Sequence, residues 1–311
     1  MDETFDYLDL WIRYALSCKV QVLRIISDVE YDLCPLPDMP LVSDKSTTVE
    51  LCRVEPREPL LDFSGCSALQ DLTMSYSTVE NILSPSVKRL SICYCTFSRD
   101  FRARISAPSL VFLELVSYSG MTPFLDNMPS LVSASIRHGD LHHEDRCKSR
   151  FEIGGCADVS CQGCVHSKGD GNKSVLLASL SHALHLKLTS DEGMFIFRRY
   201  LTLRPVFSKL KTLVLDDWCM VANLHALIFF LQHSPLLEKL TLKLSTDHED
   251  TVAKEAKYEW TEQAFAFKHL TVEVKCYEFS ERIKKNLEVL VSCGVPPGQI
   301  KILRYRKISR R

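Results

Sequence analysis

The stretch Pro108-Ser109-Leu110-Val111-Phe112-Leu113-Glu114-Leu115 returns shortly afterwards as Pro129-Ser130-Leu131-Val132-Ser133-Ala134-Ser135-Ile136. Both copies have the form Leu-x-x-Leu-x-Leu, with Ala and Ile as substitutes. The Leu-x-Leu piece has the period of a strand. Alternate residues enter a core, and their neighbours leave it on the other face. One copy has nothing to bury its apolar side against, so further copies are expected.

They are present. The core triplets are Val20, Leu23, Ile25; Leu69, Leu72, Met74; Val87, Leu90, Ile92; Leu110, Leu113, Leu115; and Leu131, Ala134, Ile136. They continue with Ala183, Leu186, Leu188; Leu210, Leu213, Leu215; Leu237, Leu240, Leu242; and Phe267, Leu270, Val272. A weaker copy at Val49 and Leu51 lies between the first two. The intervals are unequal, short from Leu72 to Leu90 and long from Leu240 to Leu270. The pattern implies a leucine-rich-repeat solenoid of the α/β class, with a ribonuclease-inhibitor-like parallel sheet on its concave face and mostly helices and loops on the convex one. Irregular spacing implies constant strands and variable return segments. An ordinary α/β sheet would not match one six-residue template nine times. The Asn or Cys that bonds neighbouring turns is mostly replaced. Cys95 stands in the expected place, and Asp28, Ser77, Asp191 and Ser245 occupy equivalent ones.

Composition narrows the class. The chain has 311 residues, 46% apolar composition and a formal net charge of −1. That balance speaks against a dedicated nucleic-acid or membrane binder. The apolar run Leu227 to Leu231 is too short to cross a bilayer. The acidic start (Asp2, Glu3, Asp6, Asp9) does not resemble a secretory signal. The 13 cysteines are therefore expected to be reduced thiols in the cytoplasm or nucleus. Cys18, Cys93, Cys95, Cys219 and Cys276 are expected to fill core positions.

Residues Thr4 to Leu16 predict a capping helix, with Asp2 as N-cap and Phe5, Leu8, Ile12, Ala15 and Leu16 on one face. The first strand is expected at Val20 to Ile26, followed by a Pro-rich loop from Pro35 to Pro40. The organisation reads as a capping helix over 1–18, repeats over 19–136, a Cys/Gly-rich insertion over 137–173, repeats over 174–261 and a terminal unit over 262–311. The insertion holds Cys161-x-x-Cys164 and His166, with Cys156 nearby. That is half a zinc site by spacing, without the second pair that a structural site needs, so no metal is assigned. Met194 to Leu201 and Ala222 to His233 predict helices, and Asp247 to Glu259 a charged loop. The terminal unit predicts a strand from Phe267 to Cys276. A helix capped by Ser280 follows, with Ile283, Leu287, Leu290 and Val291 on one face. It ends at Gly294, before a last strand from Gln299 to Leu303.

Four stretches together resemble plant F-box proteins that carry leucine-rich repeats and an FBD-type C-terminal domain. They are Leu10 to Leu16 before the first strand, the two copies at Pro108 and Pro129, the insertion from Cys156 to His166, and Phe267-Lys268-His269-Leu270 through Gly294-Val295-Pro296. The insertion is similar to one in grass members. The resemblance implies a substrate-recognition scaffold of an SCF-type ubiquitin ligase. The chain departs from the family in one respect. No F-box, the module that docks the Skp-type adaptor of a cullin ligase, precedes Trp11. Adaptor and cullin are therefore implied only with an F-box upstream. The alternatives are a stand-alone repeat protein that binds its target without ligase function, or a zinc-binding interaction module.

No catalytic constellation emerges. There is no Gly-x-Ser-x-Gly and no phosphate-cradling Gly-rich loop. His182-Ala183-Leu184-His185 belongs to a strand template that points His185 outward. No enzyme activity, cofactor, nucleic acid or membrane is expected. Binding to an unknown target protein is assigned to the outward columns: Arg89 and Ser91, Phe112 and Glu114, Ser135 and Arg137, His185 and Lys187, Val214 and Asp216, Lys239 and Thr241, then His269 and Thr271. Arg89, Phe112, Glu114, Arg137, Lys187, Asp216 and Lys239 are the candidate contact residues. Phe112 is the expected anchor, as an aromatic among polar neighbours.

Overall fold

The computed structural model describes residues 7–28, 32–37, 40–138, 176–189, 205–216, 225–244 and 269–305, with backbone alone at 138, 225, 226 and 282. The chain divides into two compact units. The first holds residues 1–145 and 173–180, the second 146–172 and 181–311.

The first unit is built on six parallel strands in chain order: Val22–Ile26, Thr48–Cys52, Asp71–Ser75, Arg89–Cys93, Phe112–Tyr118 and Ser133–His138. Neighbours pair without offset as far as Val116, beyond which a register shift brings Tyr118 opposite His138, so equivalent side chains form rows across the sheet. One inward row is Leu23, Val49, Leu72, Leu90, Leu113 and Ala134. The next is Ile25, Leu51, Met74, Ile92, Leu115 and Ile136. All twelve are buried. The weak copy at Val49 and Leu51 is thus a full member of the sheet. Val20, expected in the first triplet, is only half-buried.

The return segments of this unit are strands where helices and loops were expected. Leu60–Asp62, Asn81–Leu83, Arg104–Ser106 and Phe124–Leu125 form a second parallel ladder. Leu61, Ile82, Ile105 and Leu125 are its buried contribution to the core. Thr78–Val79 pairs with Thr96–Phe97, and Cys34–Pro35 with Val54–Glu55. The cause is length. The main strands from Thr48 onward start in close succession, at Asp71, Arg89, Phe112 and Ser133. Once the strand and its two turns are made, too little chain is left in each interval for a packed helix.

The second unit has five parallel strands in chain order: His185–Thr189, Thr212–Asp216, Lys239–Leu244, Thr271–Cys276 and Ile300–Arg304. Every interval between their starts is longer than any from Thr48 to Ser133 in the first unit. Among the described residues, helices occupy the extra length in two of the returns. His225–His233 covers the expected range from residue 225 onward. It buries Leu227, Ile228, Phe229, Phe230 and Leu231, and Phe207 packs at 5.2 Å against Phe230. Glu281–Ser292 is capped by Ser280, whose Oγ accepts from the Ile283 N–H at 3.4 Å. It ends before Gly294, at φ +92°, as a C-terminal glycine does. Ile283 and Leu290 are buried, but Val291 is exposed, against expectation.

One register differs from the expected one. The fourth strand of this unit pairs Leu240 with Val272 and Leu242 with Val274. The core pair is therefore Val272 and Val274, not the expected Leu270 and Val272. Phe267 lies outside the described residues, and the outward pair is Thr271 and Glu273 in place of His269 and Thr271. The last strand aligns Ile300 with Val272 and Ile302 with Val274, yet Ile302 keeps 42% exposure as the outermost described strand.

At the N-terminus the helix is Leu8–Ser17, with Tyr7 in the N-cap place and no side-chain cap bond. Asp2 and Phe5 lie outside the described residues. Ile12 is buried, and Leu8, Ala15 and Leu16 are half-buried, as the spacing implies. Cys18 is exposed, not a core filler. The Cys/Gly-rich insertion from residue 139, Met194 to Leu201, Cys219 and Asp247 to Glu259 also lie outside the described residues. Among those described, no helix is long and apolar enough to cross a membrane.

The turns replace the missing asparagines with what is available. The Ser77 hydroxyl accepts from the Val54 N–H at 3.0 Å and donates to the Ser75 carbonyl at 2.8 Å. Cys95 Sγ reaches the Cys93 carbonyl at 3.4 Å. Asp28 is exposed, and Asp191 and Ser245 fall outside the described residues.

Two substitutions test this account. Leu113→Asp places an unpaired carboxylate in a fully buried row, a loss of roughly 4 kcal/mol or more. Urea unfolding should show the first unit collapsing, and an unchanged midpoint would refute the inward assignment. Ser77→Ala leaves the buried Val54 N–H without an acceptor, so about 1–3 kcal/mol should be lost in the same assay.

Candidate protein-binding face

The outward side chains inherit the registers of the strands. In the first unit one outward row is Val22, Thr48, Asp71, Arg89, Phe112 and Ser133. The next is Arg24, Glu50, Thr73, Ser91, Glu114 and Ser135. The third is Ile26, Cys52, Ser75, Cys93, Val116 and Arg137. Four candidate residues share this face. Arg89 and Phe112 are register partners, Glu114 lies in the next row, and Arg137 pairs with Val116. Arg89 and Arg137 are exposed, while Phe112 and Glu114 are half-buried.

Most charges on this face are matched within it. Arg24 meets Glu50 at 2.8 Å, Arg89 Nε meets the Asp71 carboxylate, and Ser91 donates to Glu114 at 2.7 Å. The pairing with Asp71 raises the Arg89 pKa, by hydrogen bond first and charge second. Exposed pairs of this kind stabilise by about 0–1 kcal/mol at most. Their effect is to order the side chains and leave little net field.

In the second unit Lys187, Asp216 and Lys239 lie on the outward face of their sheet. Lys239 pairs with Glu273 at 2.9 Å, and Lys275 reaches the same carboxylate at 3.6 Å. The Lys239 hydrogen bond leads in holding the Glu273 pKa low. Asp216 receives Lys243, its register partner, at 3.3 Å. Lys187 is exposed. His185 is exposed as expected and shares a 2.7 Å contact with the Thr212 hydroxyl. Thr241, expected outward, is buried at 4% exposure. It sits between Val214 and Glu273 in its row, and the larger neighbours shield its short side chain.

A feature that the template missed runs along the end of the first unit's strands. Arg53, Tyr76, Tyr94 and Ser117 each stand two positions after the last template residue, and each has a positive φ of 52° to 56°. Bulky residues rarely adopt that conformation. At the first three the ladder enforces it, because the N–H bonds the next strand: Arg53 to the Ser75 carbonyl at 2.9 Å, Tyr76 to Cys93 at 3.1 Å, Tyr94 to Val116 at 2.9 Å. The rings of Tyr76 and Tyr94 stack in parallel at 5.1 Å, and the Arg53 guanidinium lies 5.8 Å over Tyr76. Both tyrosines are about half exposed, at 51% and 54%. The signal was available in the recurrence of Tyr at one offset from Met74 and Ile92.

Chemistry elsewhere is sparse. Burial pushes the Cys95 thiol up to about 12 and raises Cys34, Cys66, Cys93, Cys276 and Cys293, which keeps them protonated and poorly nucleophilic at neutral pH. No three His, Cys, Asp or Glu side chains among the described residues are placed to hold a metal. Cys156, Cys161, Cys164 and His166 lie outside those residues. The Pro-rich loop lines a small apolar cleft of about 190 Å³ with Leu36, Pro37, Pro40, Leu41, Pro56 and Phe63.

Comparison with known proteins adds one sequence relationship. Over 137 residues the chain is 28% identical to an Arabidopsis thaliana protein described as a "Putative FBD-associated F-box protein". The aligned part is 41% of this chain and 30% of that protein, so the chain matches less than a third of its relative's length. No family model matches the chain, and no solved structure does. The similarity supports a relationship at the level of F-box and FBD-associated proteins.

Phe112 remains a candidate anchor by position. Phe112→Ala should lower stability by only about 1 kcal/mol, because the ring is already half in solvent. Thermal unfolding measures this directly, and a loss of several kcal/mol would mean that the ring belongs to the core.

Proposed function

We propose that this chain is a protein-interaction scaffold and acts as the target-binding region of an SCF-type ubiquitin-ligase receptor. The similarity to the FBD-associated F-box protein carries this reading. The sheets support it from the other side. Each unit presents an ion-paired outward face with mixed charge, which suits a protein partner and not a polyphosphate. The candidate contacts are Arg89, Phe112, Glu114 and Arg137 in the first unit and Lys187, Asp216 and Lys239 in the second. In this role the repeats select the target. An F-box recruits the Skp-type adaptor and cullin.

The test separates the two tasks. The chain alone should not bind a purified Skp-type adaptor, whereas the chain with an F-box fused before Met1 should. In plant cells treated with a proteasome inhibitor, proteins captured by the fused chain should carry ubiquitin, and those captured by the unfused chain should not. Captured proteins that stay unmodified while adaptor is bound would overturn the ligase role and leave a stand-alone binding protein.

A further inference from the structure

The three outward rows of the first unit are largely satisfied from within, but the Arg53–Tyr76–Tyr94 ladder is not. Arg53 lies over the Tyr76 ring, and among the described residues no carboxylate meets its N–H groups. On the other side of the pair, the rung after Tyr94 is Ser117, at the same offset and nearly the same φ. An aromatic column that continues for two strands therefore stops at a small hydroxyl. Among the described residues, no ring lies against the far face of Tyr94. Arg137, one strand beyond Val116, is exposed and has no carboxylate partner among the described residues. The ladder thus ends in a cation on one side and, among the described residues, in an uncovered ring on the other.

We infer that this ladder docks an extended acidic segment of a partner protein, with a carboxylate on Arg53 and an aromatic side chain over Ser117 against Tyr94. This rests on the reading that the chain binds a protein target, and it places the anchor at the strand ends instead of at Phe112. Aromatic stacking of this kind strengthens binding beyond simple burial. A guanidinium already held against a ring loses less freedom when it takes a carboxylate. The Arg53 guanidinium selects against a basic guest. Geometry also sets the spacing. Arg53 and Ser117 are three strands apart, roughly 14 Å at ~4.8 Å per strand, and an extended peptide covers that in about four residues. The expected motif is therefore an Asp or Glu four positions from a Trp, Tyr or Phe, in either chain direction.

A phage-displayed library of random peptides of about twelve residues, long enough to span the ladder twice over, tests this when selected on the immobilised full chain. Enriched peptides should carry the acid and the aromatic four apart, and their labelled synthetic forms should bind in fluorescence anisotropy. Tyr94→Asn, which suits a positive φ, and Arg53→Gln should each weaken binding by about tenfold. Tyr94→Phe should bind like the parent. Ser117→Tyr, which fills the guest's place with the residue type the ladder already holds twice, should abolish binding while thermal unfolding stays unchanged. If Tyr94→Asn is unstable, Ser117→Tyr and Arg53→Gln decide alone. Peptides that bind without the spacing, or that ignore Ser117→Tyr, overturn the docking site but leave target binding intact. A selection that enriches nothing overturns the docking site and counts against peptide recognition by the chain as a whole.

Discussion

The structure depends on one constraint: a parallel strand cannot close its own hydrogen bonds or bury its own inward residues. Each needs a neighbour in the same register. The in-register pairing of Leu90 with Leu72 and Leu113, and of Ile92 with Met74 and Leu115, meets both needs at once. A slip by one residue would turn the leucines outward and the charged rows inward. The apolar rows are thus what hold the outward rows in line.

From that constraint the variable parts follow. The strand is invariant because the neighbour demands it, whereas the return segment has only to bring the chain back. Where the repeat is short, as from Asp71 to Arg89, the chain returns as a short strand. Where it is longer, as from Thr212 to Lys239, it admits a helix. The two units therefore differ in their returns while sharing one kind of sheet. Turn chemistry is equally opportunistic. A serine hydroxyl at residue 77 performs the bonding for which an asparagine was expected.

How far the sequence could be read varies with what the residues report. Leucine spacing located the inward rows well, since burial is what it encodes. It misframed Leu270 and Val272, where Leu270 is also buried and offered a false frame that only the pairing partner resolves. It also could not tell that Thr241 is shielded by its neighbours, because shielding depends on adjacent strands. Charge pairing such as Lys239 with Glu273 was invisible for the same reason, as the partners stand on different strands and far apart in the chain. The tyrosine ladder was legible in principle. It lies two positions beyond the six-residue template, which registers only burial.

The outermost described strand, Ile300–Arg304, has a consequence for self-association. A bare strand edge is a template on which a second molecule can grow a sheet, and Ile302 and Leu303 add an apolar incentive. Lys301 and Arg304 bracket that pair. Two such edges brought together would crowd four cations around a narrow seam, with no carboxylate on the strand to relieve them. Like charge on this strand thus opposes its pairing with a second copy of itself.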